Sequence, residues 1–189
     1  YSISFDGVDD YIDVTQQDLG TVNTVSWWMK HLGGTTATDT VFGEDNATQF
    51  WSFIYIDWNA NTLYYKDPSN NKNTWDVSLF DDTDWHNWII TRDGTATILY
   101  VDGVSQGAGT VSGALSGNSK FRYLGADYSD MTREFEGNLS NVAVWTSVLT
   151  QDQVLTIYNG GVPNSISSLS PISWWSLAGD SYYDGTNWI

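Results

Sequence analysis

Two Asp-Gly pairs constrain this chain more than any other feature. The run WHNWIITR leads into Asp93-Gly94, TATILYV follows, then Asp102-Gly103, then VSQGAG. Each flanking run alternates apolar with polar residues, the two-residue period of a half-buried strand. An Asp-Gly pair between such runs suits a type I′ hairpin, because both central residues take positive φ there. The segment therefore reads as three consecutive antiparallel strands, and a chain containing such a meander is built largely of sheet.

The same period recurs along the chain. Ser2 to Phe5 and Tyr11 to Val14 read as short strands around the turn cluster Asp6-Gly7-Val8-Asp9-Asp10. Val22 to Leu32 reads as a long strand with Val25, Trp27 and Met29 on one face. Gln49 to Asp57 sets Phe50, Ser52, Ile54 and Ile56 against Trp51, Phe53, Tyr55 and Asp57, and a shorter strand follows at Thr62 to Lys66. Further strands are expected at Phe121 to Gly125, Phe135 to Trp145 and Ile172 to Leu177. One helix interrupts them: Thr150-Gln151-Asp152-Gln153 fits a capping box, and Gly160, Gly161 and Pro163 end the helix. Val154, Leu155 and Tyr158 are expected on its buried face. Many strands and one short helix near residues 150–159 predict an all-β antiparallel sandwich of the jelly-roll kind. The Ser-rich stretch Asn164 to Ser170 is the candidate boundary.

Charge excludes whole classes of partner. The chain has 189 residues, 23 of them acidic and 7 basic, for a formal charge of −16. Nucleic acid and anionic membranes require the opposite sign, and no apolar run approaches the roughly 20 residues of a membrane span. Neither nucleic-acid binding nor membrane insertion is expected. Only Glu44, Glu134 and Glu136 among the acids are glutamates. The remaining aspartates favour turns over helices, so the acidity belongs to a turn-rich protein. With no cysteine there is no disulfide framework and no thiolate metal site.

With these motifs placed, the chain resembles the concanavalin A-like lectin/glucanase superfamily, in its laminin G-like and pentraxin-like branch. YSISFDGVDDYIDV resembles that branch's opening strand pair, and WHNWIITRDGTATILYVDGV its central meander. FEGNLSNVAVWTSVLTQDQVLTIYNGG resembles its late strand and short helix. The resemblance implies one domain over residues 1–189, with 171–180 as a closing strand. The alternative is a domain ending at 163 and a second beginning at 171. It also implies a non-enzymatic module that recognises a carbohydrate or other surface ligand, assisted by calcium, outside the cell or on a virion surface. Domains of this composition are similar to those of marine bacteriophage virions and bacterial surface fibres. There such a sandwich serves as a decoration or assembly unit, the alternative function, with itself or other surface proteins as partners.

Glucanases on this fold place carboxylates at alternate positions of one strand, so that both face a single cleft. No such Glu-x-Asp-x-Glu pattern occurs, and no Gly-x-Ser-x-Gly elbow is present. No catalytic residue is expected, and His86 reads as a packing residue.

Calcium takes six to eight oxygens from Asp, Asn and backbone carbonyls in loops. Gly43-Glu44-Asp45-Asn46 and Gly125-Ala126-Asp127-Tyr128-Ser129-Asp130 both qualify. Pentraxins place an Asp-Asn pair in the first loop and an acidic cluster in the second. The resemblance carries metal ligation to Asp45, Asn46 and Asp127, with Asp130 or Glu134 completing the set. The second loop is spaced differently here, and both loops also read as solvated Asx turns. Asp6, Asp9, Asp10 and Asp13 form another acidic cluster, read as turn chemistry. For a sugar, aromatic faces and planar polar groups are needed. Trp58, Asn59, Tyr64 and Tyr128 are the candidates, with Asn61 and Tyr65 beside them.

Overall fold

The computed structural model describes residues 2–33, 38–44, 52–127 and 133–177. Among them fourteen strands form two seven-stranded sheets. In chain order they are β1 (Ile3–Asp6), β2 (Ile12–Gly20), β3 (Val22–His31), β4 (Thr38–Gly43), β5 (Phe53–Asp57), β6 (Thr62–Lys66) and β7 (Lys72–Asp76). The second half holds β8 (Trp85–Asp93), β9 (Ala96–Val101), β10 (Val104–Ala108), β11 (Thr110–Ser112), β12 (Ser119–Leu124), β13 (Glu136–Trp145) and β14 (Ser173–Trp175). The helix α1 (Gln151–Tyr158) follows β13. No helix among the described residues is long and apolar enough to cross a membrane.

Sheet one runs β1-β13-β3-β8-β9-β10, and sheet two runs β11-β7-β6-β5-β4-β12-β2. β1 pairs with the first half of β13 and β14 with the second, so the two short strands lie end to end along one edge. The β8-β9-β10 meander forms as the alternation requires. Its second turn has positive φ at both Asp102 and Gly103, the I′ signature. The first turn differs from expectation. Asp93 pairs with Ala96, so Gly94 and Thr95 are central, and of these two only Gly94 has positive φ. That is the II′ arrangement, which takes Gly at its first central position.

Between the sheets lies the main core, built from alternate residues of each strand. Val25, Trp27 and Met29 of β3 meet Ile54 and Ile56 of β5 and Leu63 and Tyr65 of β6 there. Trp27 and Trp88 stack at 6.2 Å across β3 and β8. A second, smaller core lies on the far side of sheet one. Val154 and Ile157 of α1 cover Ile89, Tyr100, Ala143 and Trp145. Both halves of the capping box are made: Thr150 N–H donates to Gln153 Oε1 at 2.8 Å, and Gln153 N–H to Thr150 Oγ1 at 3.4 Å. The buried helical face needs one correction. Leu155 is exposed and Ile157 takes its place, because residues 154, 157 and 158 share a face at 3.6 residues per turn.

One buried carboxylate joins the two sheets. Asp39 of β4 is fully buried, and its Oδ2 lies 2.9 Å from His31 Nδ1 of β3 while accepting the Trp58 indole N–H at 2.7 Å. Its Oδ1 accepts the backbone N–H of Glu136 at 3.0 Å. The His31 and Trp58 rings stack at 4.2 Å above this knot.

Candidate functional site

The far side of sheet two carries no covering helix among the described residues. In β5, Ile54 and Ile56 point into the core, so Phe53, Tyr55 and Asp57 point outward. In β6, Leu63 and Tyr65 point inward and Tyr64 and Lys66 outward. Register then sets the partners: Phe53 opposes Lys66, Tyr55 opposes Tyr64, and Lys66 opposes Lys72 of β7. The Phe53 and Tyr55 rings stack at 4.7 Å, and Tyr55 and Tyr64 at 4.5 Å with planes 2° apart. The Lys66 ammonium sits 4.6 Å from the centre of the Phe53 ring and the Lys72 ammonium 5.7 Å from that of Tyr64. The Arg133 guanidinium lies 5.8 Å from Phe53. A ladder of three rings is thus flanked by three of the chain's seven basic residues.

The electrostatics of this face follow from that crowding. Burial pushes the Tyr55 hydroxyl up to about 12, with Tyr64 adding to the effect. Burial also holds the Lys66 ammonium below the usual lysine range, and the neighbouring charges of Lys72 and Arg133 push it the same way. Phe53 is 4% and Lys66 8% exposed, so the accessible part of this face is the half-buried Tyr55, Tyr64, Lys72 and Arg133, aromatic edges and hydroxyls beside cations.

The described ends of the two acidic segments, residues 43–44 and 125–127, lie side by side next to this face. β4 pairs with β12 so that Gly43 opposes Tyr123. The lack of a side chain at Gly43 lets its backbone lie against residues 126 and 127. A Cβ there would stand 2.1 Å from the Ala126 carbonyl oxygen and 2.4 Å from that of Asp127. Asp127 is fully buried, and Arg133 donates to its Oδ2 at 2.7 Å. Glu44 accepts the Ser52 backbone N–H at 2.8 Å and the Gln16 amide at 3.3 Å. Burial raises its pKa, against the lowering effect of the Ser52 hydrogen bond.

The expected site residues divide sharply. Asp45, Asn46, Tyr128 and Asp130 lie outside the described residues. Asp127 stands at the loop junction, paired with Arg133, and Glu134 follows in the chain, half-buried. Tyr64 is a rung of the ladder and Asn59 is exposed at the β5–β6 turn. Trp58 departs from expectation: it is 8% exposed, bonded to Asp39 and stacked on His31, and offers no open face to a ligand. Tyr65 is likewise inside, its hydroxyl against Ser119 and Asn23. Of the other acidic cluster, Asp6, Asp9 and Asp10 come within 4.8 Å of one another, whereas Asp13 makes a two-pronged pair with Arg122.

Phe53, Tyr55, Lys66, Lys72 and Arg133 escaped sequence reasoning. The outward parity of Phe53 and Tyr55 was readable from the alternation in FIYID. Lysines flanking a Tyr-Tyr strand in so cation-poor a chain were the remaining signal.

Comparison with known proteins agrees with this architecture. Residues 6–155 match the laminin G family model of the concanavalin A-like lectin/glucanases superfamily. Among solved structures, a Bacteroides ovatus protein described as a candidate carbohydrate-binding protein superposes with a TM-score of 0.69 at 17% identity. The alignment covers 97% of this chain and 53% of that one, so this chain spans about half its length. A heptameric SAP-like pentraxin from Limulus polyphemus matches with a TM-score of 0.61 at 21% identity, over 93% of this chain and 90% of its own. Domain 4 of a GH43 extracellular arabinanase from Geobacillus stearothermophilus, solved with arabinotriose, matches with a TM-score of 0.53 at 22% identity, over 83% and 71%. At these identities the likeness is one of fold. No curated protein matches the sequence.

Proposed function

Since the chain belongs to the concanavalin A-like lectin/glucanases superfamily, we propose that it is a non-catalytic carbohydrate-binding module of an extracellular or virion surface. The observation that carries this reading is the half-buried Tyr55–Tyr64 pair on the outer side of sheet two, backed by the buried Phe53 and Lys66, with Lys72 and Arg133 around it. The half-buried tyrosines supply aromatic surface and hydroxyls for a sugar, and Lys72 and Arg133 supply donors for its hydroxyls or for an acidic substituent. The neighbours described as carbohydrate-binding or solved with arabinotriose support the same reading.

Calcium is the cofactor we propose beside this face. The oxygen-rich residues of the 43–44 and 125–127 segments suit a hard cation, and the close approach of Gly43 to residues 126 and 127 supports a shared site. Asp127, with Glu134, would hold the ion. Arg133 already neutralises the Asp127 carboxylate, so an ion at this position competes with a guanidinium. Bound calcium would bridge protein oxygens and ligand hydroxyls. A glycan array probed with and without calcium tests the reading, using the intact chain and its Tyr64→Ala and Asp127→Asn variants. Binding that Tyr64→Ala abolishes supports it; silence across the array in both conditions overturns it. Calcium titration of Asp127→Asn tests the ion separately.

The rival reading is an assembly unit of a virion or surface fibre. Its observation is the exposed valines on edge strands, Val104 of β10 at 62% and Val111 of β11 at 58%. Light scattering showing a concentration-dependent oligomer that Val104→Lys dissolves would favour it.

A further inference from the structure

Register sorts the outward residues of sheet two into rows that cross the strands at right angles. Directly opposed residues of an antiparallel pair share one side of the sheet. Tyr55 of β5 opposes Tyr64 of β6, Tyr64 opposes Thr74 of β7, and Thr74 opposes Thr110 of β11. Their strand neighbours Ile54, Leu63 and Trp75 lie in the main core, which fixes this row on the outer side. Neighbouring strands lie about 4.8 Å apart, so the four rungs span about 14 Å.

Every rung carries a hydroxyl. Tyr55, Tyr64 and Thr74 are half-buried and Thr110 is exposed, so the row grows more open toward β11. Neither tyrosine hydroxyl has a hydrogen-bond partner among the described residues. The Thr74 hydroxyl donates to the Thr110 carbonyl at 3.4 Å and keeps its lone pairs free to accept. The flanking rows are of opposite sign. Lys72 opposes Ser112 on one side, and Thr62 on the other opposes both Asp57 and Asp76. The row begins at β5, because Thr40 of β4, which opposes Tyr55, is fully buried. It ends at β11, an edge strand whose three residues are all exposed.

We propose that this row is the bed of an extended, neutral oligosaccharide chain lying across the strands from β5 to β11. The inference rests on the carbohydrate-binding reading above and adds the form and direction of the ligand. In an extended chain of pyranose units the hydroxyls recur at close to the strand spacing, so each rung meets about one unit and three to four units fill the row. Tyr55 and Tyr64 each spend a ring face on the other, leaving edges and hydroxyls for the ligand. That arrangement suits hydrogen bonds shared along a chain better than stacking of a single ring. The flanks offer a donor on one side and acceptors on the other, whereas the carboxylates of a uronate chain would meet Asp57 and Asp76. The open β11 end lets a longer chain run on past the site.

The test is binding of β-1,4-linked gluco-, xylo- and manno-oligosaccharides of two, four and six units to the full chain. Calorimetric titration is used, with saturation-transfer NMR for the weak disaccharides. At least one series is expected to bind about tenfold tighter at four units than at two, and to gain little from four to six. Thr110→Arg, at the exposed end of the row, should weaken the tetrasaccharide about tenfold and leave the disaccharide, held at the tyrosines, unchanged. Tyr64→Ala should weaken both. Equal affinity for two and four units, a tetrasaccharide indifferent to Thr110→Arg, or silence of all three series while the glycan array shows binding of other sugars overturns the row and leaves the carbohydrate reading standing. Silence of array and series alike overturns both.

Discussion

The two sheets of this sandwich have the same number of strands and opposite outer faces. Sheet one is buried on both sides over much of its area: beyond the main core, Ile89, Tyr100, Ala143 and Trp145 are covered by α1 and by the segment holding Ile166 and Leu169. Its central strands accordingly carry apolar residues at both parities, as in Ser-Trp-Trp-Met of β3 and Val-Ala-Val-Trp of β13. In sheet two the outward residues of β5 and β6 are Phe53, Tyr55, Asp57, Thr62, Tyr64 and Lys66, aromatic or polar rather than aliphatic, with Phe53 and Lys66 buried among them. The difference teaches where to look for a ligand. Tyr55 and Tyr64 lie half-buried outside both cores, so their stack on the buried Phe53 leaves aromatic surface that apolar packing does not use up.

The largest expected effect tests what holds the two sheets in register. Asp39→Ala removes the group shared by His31 Nδ1, the Trp58 indole N–H and the Glu136 backbone N–H, and leaves the buried Trp58 indole N–H without this acceptor. A loss of about 3–5 kcal/mol is expected from denaturant unfolding. A loss below about 1 kcal/mol would mean that apolar packing alone joins the sheets. Next comes the contrast of the outer faces. Ile157→Ala opens a hole in the helix-side core and should cost about 2–4 kcal/mol. Tyr64→Ala, on the uncovered face, should cost no more than about 1.5 kcal/mol, the scale of one aromatic pair. Equal losses would erase the distinction between a structural face and a ligand face.

How far this contrast was legible depends on where the signal lies. Strand β6 was readable at its full bounds, and so were the meander and the capping box, because period and turn chemistry are local. Strand β11 was not. Its three residues are all exposed, and it belongs to sheet two only through backbone pairing with β7. Strand β7 hides for a related reason, since KNTWD surrounds its one inward tryptophan with polar residues. Aspartate's turn chemistry is legible because it too is local: Asp6, Asp13, Asp18, Asp76 and Asp82 each accept the backbone N–H two residues on. Trp58 was misplaced because a hairpin aromatic can turn either way, and its partner Asp39 lies 19 residues back. The tyrosine ladder depends on Tyr55 opposing Tyr64, a register that no single strand announces.

Two titrating groups sharpen the comparison with opposite signs. Asp67, in the loop after β6, is fully buried. Burial raises its pKa, but N–H donors from Ser116, Asn71 and Gly117 outweigh this and hold it below the usual 3.8. Its contribution is therefore present above that value and lost as pH falls through the lower folded pKa. Asp67→Asn should flatten the acid limb of a melting-temperature profile. His86 of β8, on sheet one, behaves conversely. The hydrogen bond to Asp102 at 2.7 Å raises its pKa against burial, and Asp82 at 3.1 Å adds to the rise. Its contribution is full below the unfolded value of 6.5 and is lost as pH rises through the folded one. The gap in melting temperature between the parent and His86→Gln should narrow from pH 6 toward alkaline pH, and a gap that widens would sink this assignment.

The smallest effect concerns the cover that makes sheet one a closed face. α1 has only eight residues, too few to persist without packing or caps. Gln153→Ala removes the side chain that accepts the Thr150 N–H but leaves Val154 and Ile157 in place. The expected loss is about 0.5–1 kcal/mol, with unfolding still cooperative. Hydrogen exchange separates two consequences. If packing against Trp145 and Tyr100 holds the helix, amides of its first turn exchange faster while those of β13 stay protected. If β13 loses protection as well, the cap is coupled to the sheet beneath it, and the outer face of sheet one depends on its cover far more than that of sheet two depends on anything above it.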